Sequence, residues 1–500
     1  MRYLPAGRRI LAAAIALAVP VAAIIHLNTS AQAEGVEFAQ PLRIPPVLTG
    51  SNINLTMKEA DVQLAADGPA THMWTYNGVF PGPTIRRPTG VPTRVTVRNN
   101  LGPEFGDATL HNHGGHSLTT EDGQADSELI PPGGKRTYTY GMREDGKPER
   151  SATQWYHDHR MGVTGRNVWN GLAGMFILDD AVDSALPLPK GEYDVPLMIT
   201  DRTFDENNQI PYEPAAQGPA AVGLLGINVL VNGTYLPYLD VAAHKYRFRL
   251  LNASNRRPYI FTLGNGQSFT QIATDGGLLP APIERTQINL MPGERVEVVV
   301  DFAAHLGENI TLMNLNTVND IAPETMQFRV KRPAVDRSYV PAKLRPLPAF
   351  PEPSQTRQFV IGAVTDSTGS PTAWTFNGKS FDPARMDADP VLGSTESWTF
   401  LNPTTQPHAI HLHDVDWLLT ERFGVTVAGD GTPVRGDPLA IPAYEQGLKE
   451  VFVLPPREGL TVKTTFTDHT GMFMFHCHML EHEDFGLMGQ FDVVKAGHHH

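Results

Sequence analysis

The stretch FMFHCHMLEHEDFGLM, residues 473–488, contains the single cysteine of the chain among several histidines. A lone cysteine is more often a small buried hydrophobe, so it is the neighbouring donors that favour metal chemistry here. Cys477 lies between His476 and His478, and His482 follows. A thiolate with imidazoles is typical of blue-copper sites and also suits tetrahedral zinc. On a strand, Cys477 would face away from its two flanking histidines, so one strand can serve two metal sites.

Pairs of histidines separated by one residue occur at both ends of the chain. There are four: His111 and His113, His157 and His159, His411 and His413, and His476 and His478. On a strand, both imidazoles of such a pair lie on one face. Eight imidazoles exceed the donors of one zinc site. They predict a cluster of several copper ions where the first and last parts of the chain meet.

Short alternating segments dominate the rest of the sequence. TRVTVRNN, YRFRLLN, RVEVVVDF and KEVFVLP all alternate as strands do, and 45 glycines and 42 prolines separate such segments. Sustained helical periodicity is hard to find. The sequence therefore predicts an all-β protein built of sandwiches.

An internal repeat predicts three units with one plan. WTYNG, VLVNG and WTFNG each precede an alternating strand that ends at Asn99, Asn252 or Asn402. The histidine pairs fall in the outer units, so the middle one is expected to act as a spacer. The predicted domains are residues 34–182, 183–340 and 341–497, the first and third with copper ligands and the second without them.

The motifs HNHG, WYHDH, HAIHLH and HCHMLEHEDFGLM resemble the four copper motifs of three-domain multicopper oxidases, the family that includes the laccases. The resemblance extends from NGVFPGPTI (77–85) to GLMGQFDV (486–493). QWYHDHRMG and GEYDVPLMITDRTF are more similar to bacterial spore-coat laccases and bilirubin oxidases than to plant or fungal laccases. The resemblance implies three cupredoxin-like Greek-key β-sandwich domains.

The resemblance also implies four copper ions: one type 1, one type 2 and two type 3. His408, Cys477 and His482 match the type 1 ligands, and His111 and His411 match the type 2 ligands. The type 3 ligands match six positions: His113, His157, His159, His413, His476 and His478. An electron accepted at Cys477 would then pass through one residue of backbone to the type 3 ligands beside it.

The axial position of the type 1 site departs from the bacterial pattern. Leu487 stands where those relatives have a methionine, which implies a noncoordinating axial residue and a raised potential. Coordination by Met488 after a local shift is the alternative. Two acids, Asp122 and Glu483, match proton-relay positions of the family. The alternative for each is an exposed loop carboxylate, or one that only hydrogen-bonds a ligand imidazole.

The function that the resemblance implies is oxidation of phenols or aromatic amines with dioxygen as acceptor. The type 1 edge around His408 and His482 is expected to be apolar and close to solvent. A metal-ion oxidase acting on cuprous ion or manganese is the alternative, although the 15 methionines form no tract between Met386 and Met472. A copper-free scaffold of the same fold would not need every ligand. No stable protein partner is implied.

The net charge and the two ends of the chain bear on where the protein acts and on what it binds. The net charge of −13 argues against nucleic acid or an anionic membrane as the main partner. Residues 1–33 resemble an export signal, which predicts an exported protein. The Arg8-Arg9 pair resembles a twin-arginine signal, so export by that route is one prediction. An uncleaved membrane anchor is the alternative. One cysteine allows no internal disulfide, so the thiol has another use. Residues 498–500 resemble a tag remnant.

Overall fold

A computed structural model describes residues 37–319 and 321–497. The predicted export signal and the histidine tail lie outside the described residues. Strands dominate the described chain, which confirms the all-β class. Within these two ranges no helix is both long and apolar enough to span a bilayer.

The strands follow one another in three groups along the chain. Strands β1 to β12 are Gln40–Pro41, Val47–Leu48, Asn52–Val62, Thr71–Tyr76, Gly82–Pro88, Thr93–Asn99, His111–His113, Lys135–Tyr140, Arg143–Glu144, Lys147–Pro148, Thr153–His157 and Ala173–Asp179. Strands β13 to β24 are Asp194–Arg202, Asn228–Val231, Thr234–Tyr235, Pro237–Ala243, Lys245–Asn252, Tyr259–Leu263, Phe269–Thr274, Gly277–Arg285, Ile288–Leu290, Arg295–Asp301, Asn309–Asn314 and Glu324–Pro333. Strands β25 to β35 are Gln355–Thr365, Pro371–Phe376, Thr395–Leu401, His408–Leu412, Trp417–Val427, Pro433–Leu439, Leu448–Lys449, Val451–Leu454, Glu458–Thr465, Gly471–Cys477 and Met488–Val493.

Helices are few and short. The α-helices α1 to α3 are Thr164–Trp169, Ala181–Ala185 and Leu480–Asp484. Single 3₁₀ turns are Gly191–Tyr193, Pro214–Gln217, Ala220–Val222 and Ala443–Glu445. Helices α1 and α3 matter most for function because α3 carries His482 and packs against α1.

Each group of strands forms two main sheets that enclose a hydrophobic core. The first group has the sheets β2-β5-β12-β11-β7 and β4-β3-β6-β8, and the second has β1-β16-β24-β23-β18-β21 and β15-β14-β13-β17-β22-β19-β20. The third has β26-β25-β27-β33-β29-β30 and β32-β28-β34-β35. Separate clusters of buried apolar side chains fill the three sandwiches. The exact domain boundaries stay a prediction, and β1 pairs with β16 of the middle group.

The repeat seen in the sequence has a structural counterpart in three buried asparagines. Asn99, Asn252 and Asn402 are each 0% exposed and lie at the ends of β6, β17 and β27. In each, the side-chain amide donates to at least two backbone carbonyls, and its oxygen accepts from the backbone N–H two residues later. These contacts satisfy loop groups that would otherwise be buried without partners. The same side chain thus closes the same loop three times.

Replacement of the middle asparagine tests this role away from the copper motifs. Asn252→Ala removes three buried hydrogen bonds and leaves the Arg257 and Leu290 carbonyls without that donor. At about 1 kcal/mol for each bond, the free energy of unfolding should fall by about 3 kcal/mol. Chemical denaturation measures it, with Asn289→Ala, at the exposed central residue of β21, as control. Equal stability of the two variants would contradict the assigned role.

Candidate metal centre

Two neighbouring strands supply most of the third-domain donors. Strands β28 and β34 are antiparallel, with Ile410 opposite Cys477 and His411 opposite His476. Because side chains alternate along a strand, His408 lies on the Ile410 face of β28 and His411 lies on the other face. The prediction that Cys477 faces away from its flanking histidines therefore fits the register. Each strand divides its donors between two sites.

The first site combines one thiol with two imidazoles. The Cys477 Sγ atom lies 3.7 Å from Nδ1 of His408 and 3.6 Å from Nδ1 of His482, and these two nitrogens are 3.1 Å apart. All three residues are 0% exposed. Burial raises the pKa of the Cys477 thiol to about 12 and lowers that of His408 to about 3. A cation bound to the sulfur would compensate the cost of a buried thiolate.

The register also separates the two axial candidates. Leu487 is 0% exposed and packs in the same apolar cluster as Cys477, whose backbone N–H donates to the Leu487 carbonyl at 3.0 Å. Met488 is opposite His476 across β34 and β35 and packs with Met474 in another cluster. Met488 thus lies on the side of the flanking histidines. This geometry supports Leu487 as the axial residue.

The second site brings the four histidine pairs together. Ring centroids within the pairs are 5.7 Å apart for His111 and His113, 5.6 Å for His157 and His159, 4.7 Å for His411 and His413, and 5.7 Å for His476 and His478. Pairs from the first and third sandwiches stack: His113 lies 3.8 Å from His411, and His111 lies 4.1 Å from His413. The donor triplets in this region are His111–His113–His157, His111–His411–His413, His159–His413–His476 and His113–His411–Glu450.

Most imidazoles of the cluster are held in the neutral form. Burial, and then repulsion from neighbouring imidazoles, lowers the pKa well below its ordinary value in five of them: His111, His113, His411, His413 and His478. Burial also lowers the pKa of His157 to about 3. A neutral imidazole has a free lone pair for a metal ion. The cluster is therefore electronically ready for cations.

Outer contacts decide which ring nitrogen is free. Six imidazoles have Nδ1 against a carbonyl or carboxylate oxygen: His111, His157, His159, His411, His413 and His476. His113 is reversed, because its Nε2 lies 3.1 Å from Glu450. Such contacts fix the tautomer and the orientation of a metal ligand. Six rings thus offer Nε2 and His113 offers Nδ1.

Asp122 bridges two of the predicted ligands. Its Oδ2 atom is 2.8 Å from Nδ1 of His413, and its backbone carbonyl is 2.7 Å from Nδ1 of His111. Burial raises the pKa of Asp122 to about 7. It is 1% exposed, so it is not an exposed loop acid. A carboxyl group with this pKa can accept and donate a proton near neutral pH.

Glu483 joins two other predicted ligands. Its oxygens lie 3.1 Å from Nδ1 of His159 and 3.0 Å from Nδ1 of His476, and Thr164 donates to Oε1 at 2.7 Å. Burial favours the neutral acid, but the nearby His159 and His476 lower the pKa of Glu483 well below its usual range. The carboxylate can therefore stabilise protons on these rings.

Three residues of the site carried no signal in the sequence. Glu450 faces His113, and Arg295 of the middle sandwich pairs with the same carboxylate. Gly293 approaches the cluster so closely that a Cβ there would lie 2.7 Å from the His478 ring. The middle sandwich is thus more than a spacer, because it forms one wall of the cluster. None of the three belongs to a histidine motif, and only the packing reveals them.

The histidines of residues 37–319 and 321–497 that lie outside the four pairs and the Cys477 site also have acidic neighbours. His72, His244, His305 and His469 lie beside Asp61, Asp336, Glu308 and Asp414, respectively. His116 is buried in the loop after β7, 3.5 Å from Asp468. That none of them is a copper ligand stays a prediction.

The donor chemistry of both sites fits copper. Ring nitrogens of the paired histidines, among them Nε2 of His111, His157 and His411 and Nδ1 of His113, are buried without hydrogen-bond partners. Buried polar atoms of this kind are costly unless an ion or water binds them. One thiolate with two imidazoles suits blue copper, and many imidazoles suit further copper ions.

Comparison with known families agrees with this geometry. Models of the multicopper oxidase family match residues 57–183, 194–328 and 352–497. The chain belongs to the multicopper oxidase family. Membership brings copper as cofactor and dioxygen as electron acceptor. It also confirms the cupredoxin-like fold class that the motifs imply.

Several relatives of this multicopper oxidase match over most of their length. It is 36% identical to a laccase of Bacillus subtilis (strain 168), over 88% of this chain and 94% of that one. It is 33% identical to a bilirubin oxidase of Albifimbria verrucaria, over 91% and 81%. A crystal structure of a laccase from Pediococcus acidilactici matches with a TM-score of 0.79 and 30% identity, over 91% and 94%.

Substitution of the axial residue tests the type 1 assignment. Leu487→Met places a thioether where the apolar side chain packs against Cys477, so the type 1 reduction potential should fall. Spectroelectrochemical titration of the blue absorption measures it. Met488→Leu is the matched control and should leave the potential unchanged. A rise in the potential with Met488→Leu, and no fall with Leu487→Met, would instead show that Met488 is the axial residue.

Substitution of Asp122 tests the proton relay. Asp122→Asn keeps an oxygen that can accept from His413 but removes the proton, so oxygen reduction should slow about 100-fold. Anaerobic bleaching of the type 1 colour by a phenol should keep its wild-type rate. Stopped-flow spectroscopy separates the two steps, and Asp336→Asn, at the His244 contact, is the control. Slower bleaching with normal oxygen turnover would contradict the relay.

Proposed function

We propose that this multicopper oxidase is laccase-like and oxidises phenols or aromatic amines one electron at a time. The observation that carries the proposal is that adjacent residues of one strand end belong to the two different sites. Cys477 belongs to the thiol site, and its neighbours His476 and His478 belong to the histidine cluster. The covalent path between the sites is one residue of backbone in each direction.

The proposed cofactor is four copper ions: one at the thiol site and three in the cluster, held by the residues that the motifs predict. Bound there, copper would supply one-electron acceptance at the thiol site and reduction of dioxygen to water in the cluster. Three side chains, His408, Cys477 and His482, form the acceptor site, and burial excludes water from it. The strand register keeps the two sites at a fixed separation.

Protons balance the electrons. Four one-electron oxidations of a phenol release four protons, and reduction of one dioxygen to two waters consumes four. Asp122 and Glu483 are buried carboxyl groups, each against two predicted ligands. With its pKa raised to about 7 by burial, Asp122 is suited to deliver these protons.

The substrate class draws support from the relatives named laccase and bilirubin oxidase. The alternative, oxidation of cuprous ion or manganese, would need a cation-binding group near the thiol site. Residues 387–471 contain no methionine that could recruit cuprous ion. The aromatic reductant is therefore the proposal. We also propose export and action without a stable protein partner.

Oxygen uptake by the copper-loaded protein tests the proposal. A dimethoxyphenol should support rapid uptake, while stabilised cuprous ion should support little, because residues 387–471 contain no methionine to bind it. A Clark electrode measures both, with copper-free protein as control. Rapid uptake with cuprous ion and little with the phenol would make the chain a metal-ion oxidase.

A further inference from the structure

The outer face of the type 1 site is covered. His408 and His482, around which the sequence predicts a solvent-near edge, are themselves 0% exposed. The Nδ1 atom of His482 faces Cys477, so Nε2 points away from the site. Nε2 is buried without a hydrogen-bond partner. The turn Ala220–Val222 of the middle sandwich packs against α3, the helix that carries this imidazole.

This cover segment is residues 220–223, a 3₁₀ turn followed by a glycine. It packs against α3, which carries His482, and against β26. Gly223 has φ +96°, and a Cβ there would lie 2.7 Å from Oε2 of Glu481. Only glycine permits so close an approach in this backbone conformation. The cover segment can therefore pack directly against α3, the helix that carries His482.

Trp374 of β26 joins the cover segment to both type 1 imidazoles. Its indole Nε1 donates to the Ala221 carbonyl at 2.7 Å. Its ring lies 4.5 Å from His482 at 32° and 5.0 Å from His408 at 81°. Trp374 is 1% exposed. One side chain therefore packs against the electron-accepting ligands and also fastens the segment that covers them.

A second donor supports the same segment. The guanidinium of Arg256 donates to the Gly223 carbonyl at 3.3 Å. This bond is longer than the tryptophan bond, and Arg256 is only partly buried. The carbonyls of Ala221 and Gly223, on either side of Val222, therefore both accept a hydrogen bond from a side chain. The hydrogen bond from Trp374 is the stronger of the two, because it is shorter and fully buried.

We propose that Trp374 is a positioning residue that determines reductant specificity by latching residues 220–223 over His482. The proposal rests on the laccase-like function. With the latch closed, an electron reaches His482 through the Val222 backbone, and a bulky phenol touches the imidazole only when the segment opens. A reductant that transfers its electron without touching the imidazole, such as ferrocyanide, does not need that opening. The latch therefore favours such outer-sphere reductants over phenols that must touch the imidazole.

Trp374→Phe keeps an aromatic ring against the imidazoles and removes only the indole N–H. Loss of one neutral hydrogen bond of about 1 kcal/mol raises the open fraction about fivefold. The kcat/KM for a dimethoxyphenol should therefore rise about fivefold, while that for ferrocyanide should change less than about twofold. The type 1 absorption and potential should stay as in the wild type.

Trp398→Phe is the matched control. Trp398 is a buried indole of the same sandwich whose Nε1 donates to Glu396 at 2.8 Å, away from the cover segment. Trp398→Phe should change the kcat/KM for neither reductant. Equal changes for both reductants with Trp374→Phe would mean that the potential is altered, and no change with either would mean that the latch does not limit access. Either result overturns the proposal.

A copper-free measurement separates the latch from the activity. Hydrogen–deuterium exchange of the Val222 and Gly223 amides, which are bonded within the turn, should be about fivefold faster in copper-free Trp374→Phe than in copper-free wild type or Trp398→Phe. Unchanged exchange overturns the latch even if both variants are active. Absence of oxygen uptake with either reductant in the wild type would instead overturn the proposed function.

Discussion

Buried imidazole nitrogens without partners are the constraint on which the rest of the site depends. The cluster places eight histidines at 2% exposure or less, and several of their ring nitrogens have no hydrogen bond. Each such group costs about 1–3 kcal/mol unless something binds it. Bound cations would offset this cost, which couples folding of the centre to copper. The surrounding carbonyl and carboxylate oxygens then only need to hydrogen-bond the ring nitrogen that does not bind a cation.

The two-residue period of a strand divides the donors between the sites. Strand β28 places His408 on one face and His411 on the other, and β34 does the same with Cys477 and His476. A single antiparallel pair thus holds both sites at a fixed separation. The sandwich cores on either side supply the rigidity that this spacing requires. Electron transfer over one residue follows from strand geometry rather than from any special loop.

Local patterns in the sequence predict the parts of the site that depend on neighbouring residues. The four histidine pairs, the orientation of Cys477 and the recurring asparagines all follow from strand periodicity and repetition. Glu450, Arg295 and the cover segment do not, because contacts between residues far apart in the chain bring them to the site. The choice of Leu487 over Met488 needed the register of β34 and β35, which one sequence does not supply.

The most direct test of the central claim is the copper content of Cys477→Ser. The account requires two separate sites in one chain, of which only one uses the thiol. The variant should lose one copper of the wild-type complement and all blue absorption, but keep the copper of the histidine cluster and its type 2 paramagnetic signal. Elemental analysis with paramagnetic resonance measures this on folded protein. A folded variant that kept its blue colour, or that lost every copper, would contradict the account.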